Sequence, residues 1–425
     1  MTPALPNTKN WSKLLAFAYA SFLVLWLASL IYLLTLLNGA GELFYLTREG
    51  KPYISDFLNV YAAGKLTLSA DRTRIYDALV QQTMVNQLIS PHKLDHTFFL
   101  QYPPYFFLAT TPLAFFPMSV AYALWLLSTV ALGVGALYLL IRLTARLQGK
   151  ATWIFLVAVL ASAPAWRNLR LGQVSWLLVG LAALYYHCLL RRKDIGAGVF
   201  LALSSMKLQY LPFLAVPLLA GRRWQAIASA AVTELAVLGV SALVFGLDNV
   251  INYPRIIFSG ETSSQYIGVA QERMVSLIGV VSALGLKHAA GAVSVVGLIA
   301  GLILSFVLCR SASFQSPRQA AWPVALTMVI AVLASPHVHT HDLLLLSIAA
   351  AVTLQVVSPF DAWRLEQRHL RLWSGIFTIY PIVSWVLLFM QDMIAGVGFF
   401  VLNAALLAAG LMAWRGERAA VEKTL

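Results

Sequence analysis

The sequence predicts an all-α, polytopic membrane protein of about twelve transmembrane helices, and three observations support that class. Of 425 residues, 60% are hydrophobic and only 11% are charged, with a mean hydropathy of +0.77. So little polar surface cannot cover a water-soluble globule, and most of the chain must face lipid. Second, the apolar residues come in runs close to the ~20 residues a helix needs to cross a bilayer. Third, the Lys and Arg residues behind a net charge of +13 sit in short clusters between those runs. That is the pattern of topology-setting charge beside anionic headgroups, so membrane lipids are partners. No basic domain exists to hold a duplex, and nucleic acid is not expected as a partner. Cys188 and Cys309 both fall inside apolar runs, which argues against a disulfide framework or a cysteine metal site and makes them small core residues.

Met1 to Asn10 is polar and is followed by Trp11 and Lys13. The apolar run that continues to Leu37 is too long for the core of a cleaved signal, so 14–37 is predicted as a first transmembrane helix. Further helices are predicted at 120–142, 152–166, 174–190, 195–206, 209–220, 226–247, 288–309, 321–335, 343–357, 373–390 and 396–414. Residues 1–425 then form one transmembrane domain with both termini on the same side. Three pieces leave alternatives open. Pro104 to Pro117 is short and bounded by proline, which suits a juxtamembrane or re-entrant segment; 195–206 and 209–220 could be halves of one bent helix; 276–286 could dip into the membrane. Charge parity supplies an independent test. If the first helix runs outward from Lys9 and Lys13 and 104–117 does not cross, every basic cluster from Arg142 and Arg191 to Arg415 falls on the cytoplasmic face. The segments 38–119, 166–173, 248–287 and 336–342 then lie outside, as expected for a multi-pass protein of the inner (plasma) membrane with an external or periplasmic active site. Within 38–119, three stretches with partial helical periodicity are expected to lie along the interface as amphipathic helices.

The polar residues on that outer face are the candidates for chemistry, because ionisable groups near or inside the membrane are costly. Asp56 is a single carboxylate in the apolar stretch YISDFLNVY. Lys207 lies between two apolar half-helices with no acidic neighbour in sequence; it either snorkels to the surface or binds an anion such as a phosphate. Arg167 and Arg170, in the turn RNLRLGQ with Gln173, could make such a site bidentate, since guanidinium matches phosphate geometry. His337, His339 and His341 alternate in SPHVHTHD, unlike the i, i+4 spacing of a helical zinc site. Hydrogen bonding to a phosphate or sugar is the expected use, with Asp342 orienting His341 or capping the next helix. One carboxylate with several cations beside lipid suits transfer of a sugar from a lipid phosphate: the phosphate leaves readily, and the acceptor hydroxyl needs one base. Inverting displacement needs no second carboxylate, although Asp77, Asp95 and Glu42 in the same loop leave a retaining route open.

Taken in order, DFLNVYAAGKL with a downstream IYD, QYPPYFFLATTPLAFFP, LGQVSWLL, MKLQYLPFLAVPLL after a GAG-containing helix, and ASPHVHTHDLLLL resemble glycosyltransferase family 87 from about Asp56 to Leu346. This resemblance implies a GT-C type fold, a polyprenyl-phosphate-sugar donor, an external active site and no required metal or other cofactor. Members include a mannosyltransferase that extends phosphatidylinositol mannosides. It implies that Asp56 is the catalytic base and that Lys207 and His341 contact the donor phosphate, to which Arg170 and Arg167 are added here. Tyr61 and Tyr102 are expected to wall the sugar pocket, with Gln173, Gln209, His339 and Asp342 completing it. Tyr210 stands where members often have proline, and the histidine-rich loop replaces aromatic or Ser/Trp versions; both alter the pocket wall. The expected reaction moves a hexose, mannose in the first instance, onto a lipid or glycan acceptor. A transporter or flippase of a lipid-linked sugar is the rival from another class, yet no second segment answers YISDFLNVY or MKLQY as an inverted repeat would.

Overall fold

The structure, a computed structural model, describes residues 55–94, 100–144, 150–260, 271–311, 314, 316–354, 356, 368–390 and 392–422, with five positions between Tyr19 and Leu27. Tyr19, Ala20, Leu23, Val24 and Leu27 are helical; the rest of the predicted 14–37 helix, and Glu42 and Asp95, lie outside the described residues. Among the described residues there is no strand, and the chain is an all-α membrane protein.

The first segment holds α1 (Ser55–Thr67), α2 (Ala78–Leu88) and α3 (Pro104–Thr110), the last running into a 3-10 turn at Thr111–Phe115. At ~1.5 Å per residue, the seven residues of α3 cover about 10 Å, far short of a bilayer core of about 30 Å. This length agrees with a segment 104–117 that does not cross. The expectation of interfacial helices needs one correction. In α1 the residues Phe57 to Ala63 are buried, enclosed by α2, α3 and the 111–115 turn. A helix that is apolar on every side is a core helix, and SDFLNVYAAGKL has no polar stripe to face water. Asp77 caps α2 by accepting from the amides of Leu79 and Val80 and pairs with Arg74 at 2.7 Å, so that carboxylate is committed to structure.

The remaining helices are α4 (Met118–Thr144), α5 (Lys150–Leu160), α6 (Ala163–Leu171), α7 (Ser175–Leu190), α8 (Asp194–Leu203), α9 (Leu211–Ala220), α10 (Trp224–Phe245), α11 (Leu247–Ile251), α12 (Tyr253–Gly260), α13 (Leu277–Ala283), α14 (Lys287–Arg310), α15 (Pro317–Ala334), α16 (Leu346–Thr353), α17 (Arg368–Leu388) and α18 (Asp392–Glu422). Among the described residues, every predicted segment after the first overlaps helix. Six helices among the described residues, namely α4, α10, α14, α15, α17 and α18, are long and apolar enough to cross a membrane, and α5 with α6 makes a seventh if a pair bent by 53° counts as one span. The segments 175–190, 194–206, 208–220 and 340–353 are apolar but shorter. The piece 276–286 carries only the seven-residue α13, too short to cross.

The helices pack as α4 on α7, α7 on α8 and α8 on α10, while α14 joins α9 to α15, and α15 lies on α16 and α18. With lipid as solvent, such contacts rest on close packing more than on the hydrophobic effect. Gly198 shows how close: a Cβ there would stand 2.3 Å from the Ala226 carbonyl of α10. Cys188 and Cys309 are free and buried, as small core residues. Asp194 at the start of α8 pairs with Arg223 at the start of α10, so the basic turns close one end of these helices. Lys207 stands beyond the opposite end of α8.

Candidate active site

Three breaks in the helices meet at that opposite end. The first separates α8 from α9. Ser204–Met206 and Leu208–Tyr210 are short 3-10 turns, Lys207 between them has φ −117° and ψ 83°, and Pro212 begins α9. Proline tolerates the first turn of a helix but not its interior, so the apolar run is split here and Lys207 is left in non-helical backbone. The alternative of one bent helix over 195–206 and 209–220 resolves into two helices joined at the lysine.

The second break lies between α6 and α7. Ser162 caps α6, and Gly172 ends it at φ 70°. Gly172 N–H donates to the Leu169 carbonyl at 3.1 Å and Gln173 N–H to that of Asn168 at 2.9 Å, the Schellman arrangement that favours glycine. A Cβ on Gly172 would fall 2.3 Å from the Cβ of Phe57, so this turn presses directly on α1 beside Asp56. Trp125 Nε1 donates to the Gly172 carbonyl at 2.9 Å, and the Tyr122 hydroxyl donates to that of Leu169 at 2.7 Å. The fully buried Asn168 braces the turn from inside, donating to the Gln173 carbonyl and accepting from Ser175 N–H.

The third break is the loop between α15 and α16. Asp342 lies inside the 3-10 turn Thr340–Leu345, and its Oδ2 accepts at 3.3 Å from the backbone N–H of His339, the residue before that turn. It thus reaches back to the entry of the turn in place of capping a helix that begins at Leu343. Gln209 Nε2 donates to the His337 carbonyl at 3.0 Å, and Ser335 Oγ donates to that of Gln209 at 3.2 Å. The imidazoles of His337, His339 and His341 follow one another at 4.8 and 5.7 Å between ring centres. Val275 N–H, ahead of α13, donates to the Val338 carbonyl at 2.9 Å and supports the loop from outside.

These breaks bring the candidate residues into two linked groups. In one, Gln173 Nε2 donates to Asp56 Oδ2 at 2.7 Å, and Tyr102 lies within electrostatic reach of both Asp56 and Asp342. In the other, Lys207 Nζ pairs with Asp342 Oδ1 at 2.5 Å, and Ser175 Oγ donates to the same oxygen at 2.9 Å. Lys207 and Asp342 are 7% and 0% exposed, so the charges neutralise one another away from solvent. Gln173 and Ser175 are two residues apart, and the α6–α7 turn therefore holds both groups. His341 Nε2 is 3.7 Å from Asp342 Oδ2, and its buried Nδ1 has no hydrogen-bond partner. Burial, then the neighbouring His337, pushes His339 down to about 3, so this half-buried imidazole is neutral at physiological pH. Arg167 stands near His339 and His341, while the Arg170 guanidinium lies 5.5 Å from the Trp166 ring centre. Tyr61 is not brought to these groups, since its hydroxyl donates to the Phe116 carbonyl at 2.7 Å and its ring lies under Lys65.

Two further polar positions escape a search by sequence. Ser175 gives no signal because its partner lies on a distant loop. Glu234 is an acid inside the spanning helix α10; it accepts from Ser205 Oγ at 3.1 Å, and Ser205 also meets the Tyr105 hydroxyl at 2.9 Å. The chemical type of an acid inside an apolar run was the available signal for Glu234.

Breaks in a bundle of apolar helices thus gather a carboxylate, a buried ion pair and three imidazoles at one end of the bundle. The family description of glycosyltransferase family 87 matches residues 99–336, and the chain belongs to that family: it is a membrane glycosyltransferase. The matched residues hold Tyr102, Arg167, Arg170, Gln173, Lys207 and Gln209; Asp56 precedes them, and His337, His339, His341 and Asp342 follow. No curated protein and no solved structure matches the chain.

Proposed function

We propose that the protein transfers a hexose, mannose in the first instance, from a polyprenyl-phosphate donor to a hydroxyl of a lipid or glycan acceptor on the external face of the membrane. The acceptor oxygen attacks the anomeric carbon from the side opposite the phosphate. The new glycosidic C–O bond forms as the bond between that carbon and the phosphate oxygen breaks, and its electron pair leaves with the polyprenyl phosphate. The hydroxyl proton passes to Asp56, and the sugar inverts. The observation that supports this assignment best is the α6–α7 turn, which holds the base through Gln173 and the Lys207–Asp342 pair through Ser175. Base and ammonium are thereby fixed to one rigid element, which suits a reaction needing both ends of one glycosyl phosphate. Lys207 keeps two N–H donors beyond the one directed at Asp342, and His341 Nδ1 adds a neutral hydrogen-bonding group. Each sharpens the expected phosphate contact: the lysine works as half of a pair, and the histidine without charge.

The test is transfer of radiolabelled mannose from a synthetic polyprenyl-phosphate mannose to extracted membrane lipids and glycans by purified protein in nanodiscs. Asp56→Asn is expected to lower turnover by about 10²–10⁴-fold, the usual worth of a general base, with donor binding retained. Full turnover in that variant removes Asp56 from the mechanism, and movement of label across the bilayer without a new glycosidic bond refutes transfer.

A further inference from the structure

We propose that Tyr210 is a positioning residue for the pair of Lys207 and Asp342: its buried hydroxyl is held in reserve for the Asp342 carboxylate and donates to it when Lys207 turns to the phosphate. This rests on the assignment of Lys207 as a phosphate contact.

Tyr210 is 1% exposed, and its hydroxyl has no hydrogen-bond partner. Polar atoms sealed inside a protein are nearly always bonded, so an orphan there calls for a reason. The reason lies beside it, since the hydroxyl stands within electrostatic reach of Asp342. An ionised carboxylate offers about four acceptor positions. Among the described residues three donors use them: Lys207 Nζ and Ser175 Oγ on Oδ1, and the His339 N–H on Oδ2. His341 Nε2, at 3.7 Å from Oδ2, is too far to take the fourth. Tyr102 also lies within reach of Asp342, but its hydroxyl is directed to Gln173 Oε1. One acceptor position and one orphan hydroxyl are therefore neighbours in the same dry interior.

Backbone contacts keep them together. Tyr210 N–H donates to the Lys207 carbonyl at 3.1 Å, which ties the tyrosine to the lysine's own turn. Gln209 reaches the opposite loop twice, through its side chain to the His337 carbonyl and through its own carbonyl to Ser335 Oγ. The tyrosine and the Asp342 loop are thus fixed to one another, while the ammonium rides on a flexible aliphatic stem. Lys207 is 7% exposed and Asp342 0%, so an arriving phosphate meets the lysine and not the aspartate. As the bond between sugar and phosphate breaks, negative charge builds on the leaving oxygen and draws the ammonium towards it. Asp342 is then buried, charged and short of its cation, which is costly. A phenol hydroxyl that donates to it lowers that cost and brings no charge of its own. The demand grows with the charge on the phosphate, so it is larger for polyprenyl monophosphate than for the donor, which is a phosphodiester.

The experiment first reads the coupling without any ligand. Melting temperatures are measured for the wild type, Tyr210→Phe, Lys207→Met and the double variant. Tyr210→Phe alone is expected to change the melting temperature by less than about 2 °C, because the hydroxyl has no partner to lose. In Lys207→Met the ammonium is permanently absent and Tyr210 donates to Asp342, so the same substitution should lower the melting temperature by several degrees more. A tyrosine that only fills space gives equal effects in both backgrounds, and that result overturns the inference. A second measurement serves where the double variant does not fold: binding of labelled polyprenyl monophosphate and of polyprenyl-phosphate mannose to protein in nanodiscs. Tyr210→Phe should weaken the monophosphate about tenfold and the diester less, and in an Asp342→Asn background it should change neither by more than about twofold. Losses of the same size with and without the Asp342 charge overturn the inference. Coupled melting temperatures in a wild type that binds neither lipid sink the phosphate assignment of Lys207 alone and leave Tyr210 as the reserve donor of Asp342.

Discussion

The buried pair between Lys207 and Asp342 makes the sharpest prediction, because its two members should respond differently to different assays. Removing one partner of a buried ion pair leaves an uncompensated charge and costs about 3–5 kcal/mol. Asp342 is fully buried and accepts from Lys207, Ser175 and the His339 amide, so Asp342→Asn keeps the shape while losing the charge opposite the ammonium. Lys207→Met loses the other half. Each single variant should lower the apparent melting temperature in detergent by several degrees, and the double variant should recover most of that loss, since no charge then remains buried alone. Donor binding separates the two. If Lys207 contacts the phosphate, Lys207→Met weakens binding of polyprenyl-phosphate mannose by about ten- to a hundredfold, the worth of one charge-assisted hydrogen bond. Asp342→Asn leaves the ammonium in place and should not weaken binding to that extent. Stability is read by fluorescence-detected size exclusion after heating, and binding by scintillation proximity with labelled donor. A double variant as unstable as the sum of the single ones would refute the pairing. Equal losses of donor affinity in both single variants would refute a phosphate contact made by the lysine alone.

Two further predictions concern groups around that pair. Glu234→Gln keeps an acceptor for Ser205 and should leave donor KM near wild type, whereas Glu234→Leu releases the Ser204–Met206 turn ahead of Lys207 and should raise donor KM about three- to tenfold. An unchanged KM in Glu234→Leu would show that the contact does not position the lysine. His339 binds a proton less readily in the folded protein than in the unfolded chain, so between about pH 6.5 and its folded value of about 3 the unfolded state carries more protons. Stability should therefore fall as the pH drops through that window, and His339→Gln should make the melting temperature less sensitive to acid between pH 7.5 and 5. An identical fall in wild type and variant would mean that this imidazole is not the group responsible.

Much of the fold was legible because hydropathy adds up along the chain. The runs behind α4, α10 and α14 announce their helices within a few residues, and Pro212 and Gly172 announce two of the breaks. The short helices were less legible: 175–190 and 340–353 are apolar enough to be read as spans, yet their lengths depend on where the chain turns inside the protein. The stretch around Asp56 was placed at the interface, but α1 is enclosed, because neighbouring segments supply the cover that a sequence window cannot see. Lys207 looked unpaired for the same reason, its carboxylate partner lying 135 residues away.

By itself, then, the sequence determined an all-α membrane protein, the residues able to carry acid–base and phosphate chemistry, and the likeness to its family, since these depend on composition, run length and local motif. Tertiary structure alone decided which of those residues meet. It tied Asp56 to Gln173 across 117 residues, turned Lys207 and Asp342 into one neutral pair, and directed Tyr61 elsewhere. The physical reason is that a charge or a hydrogen bond acts over a few ångströms, and only the packing of α1, the α6–α7 turn and the 335–345 loop sets those distances.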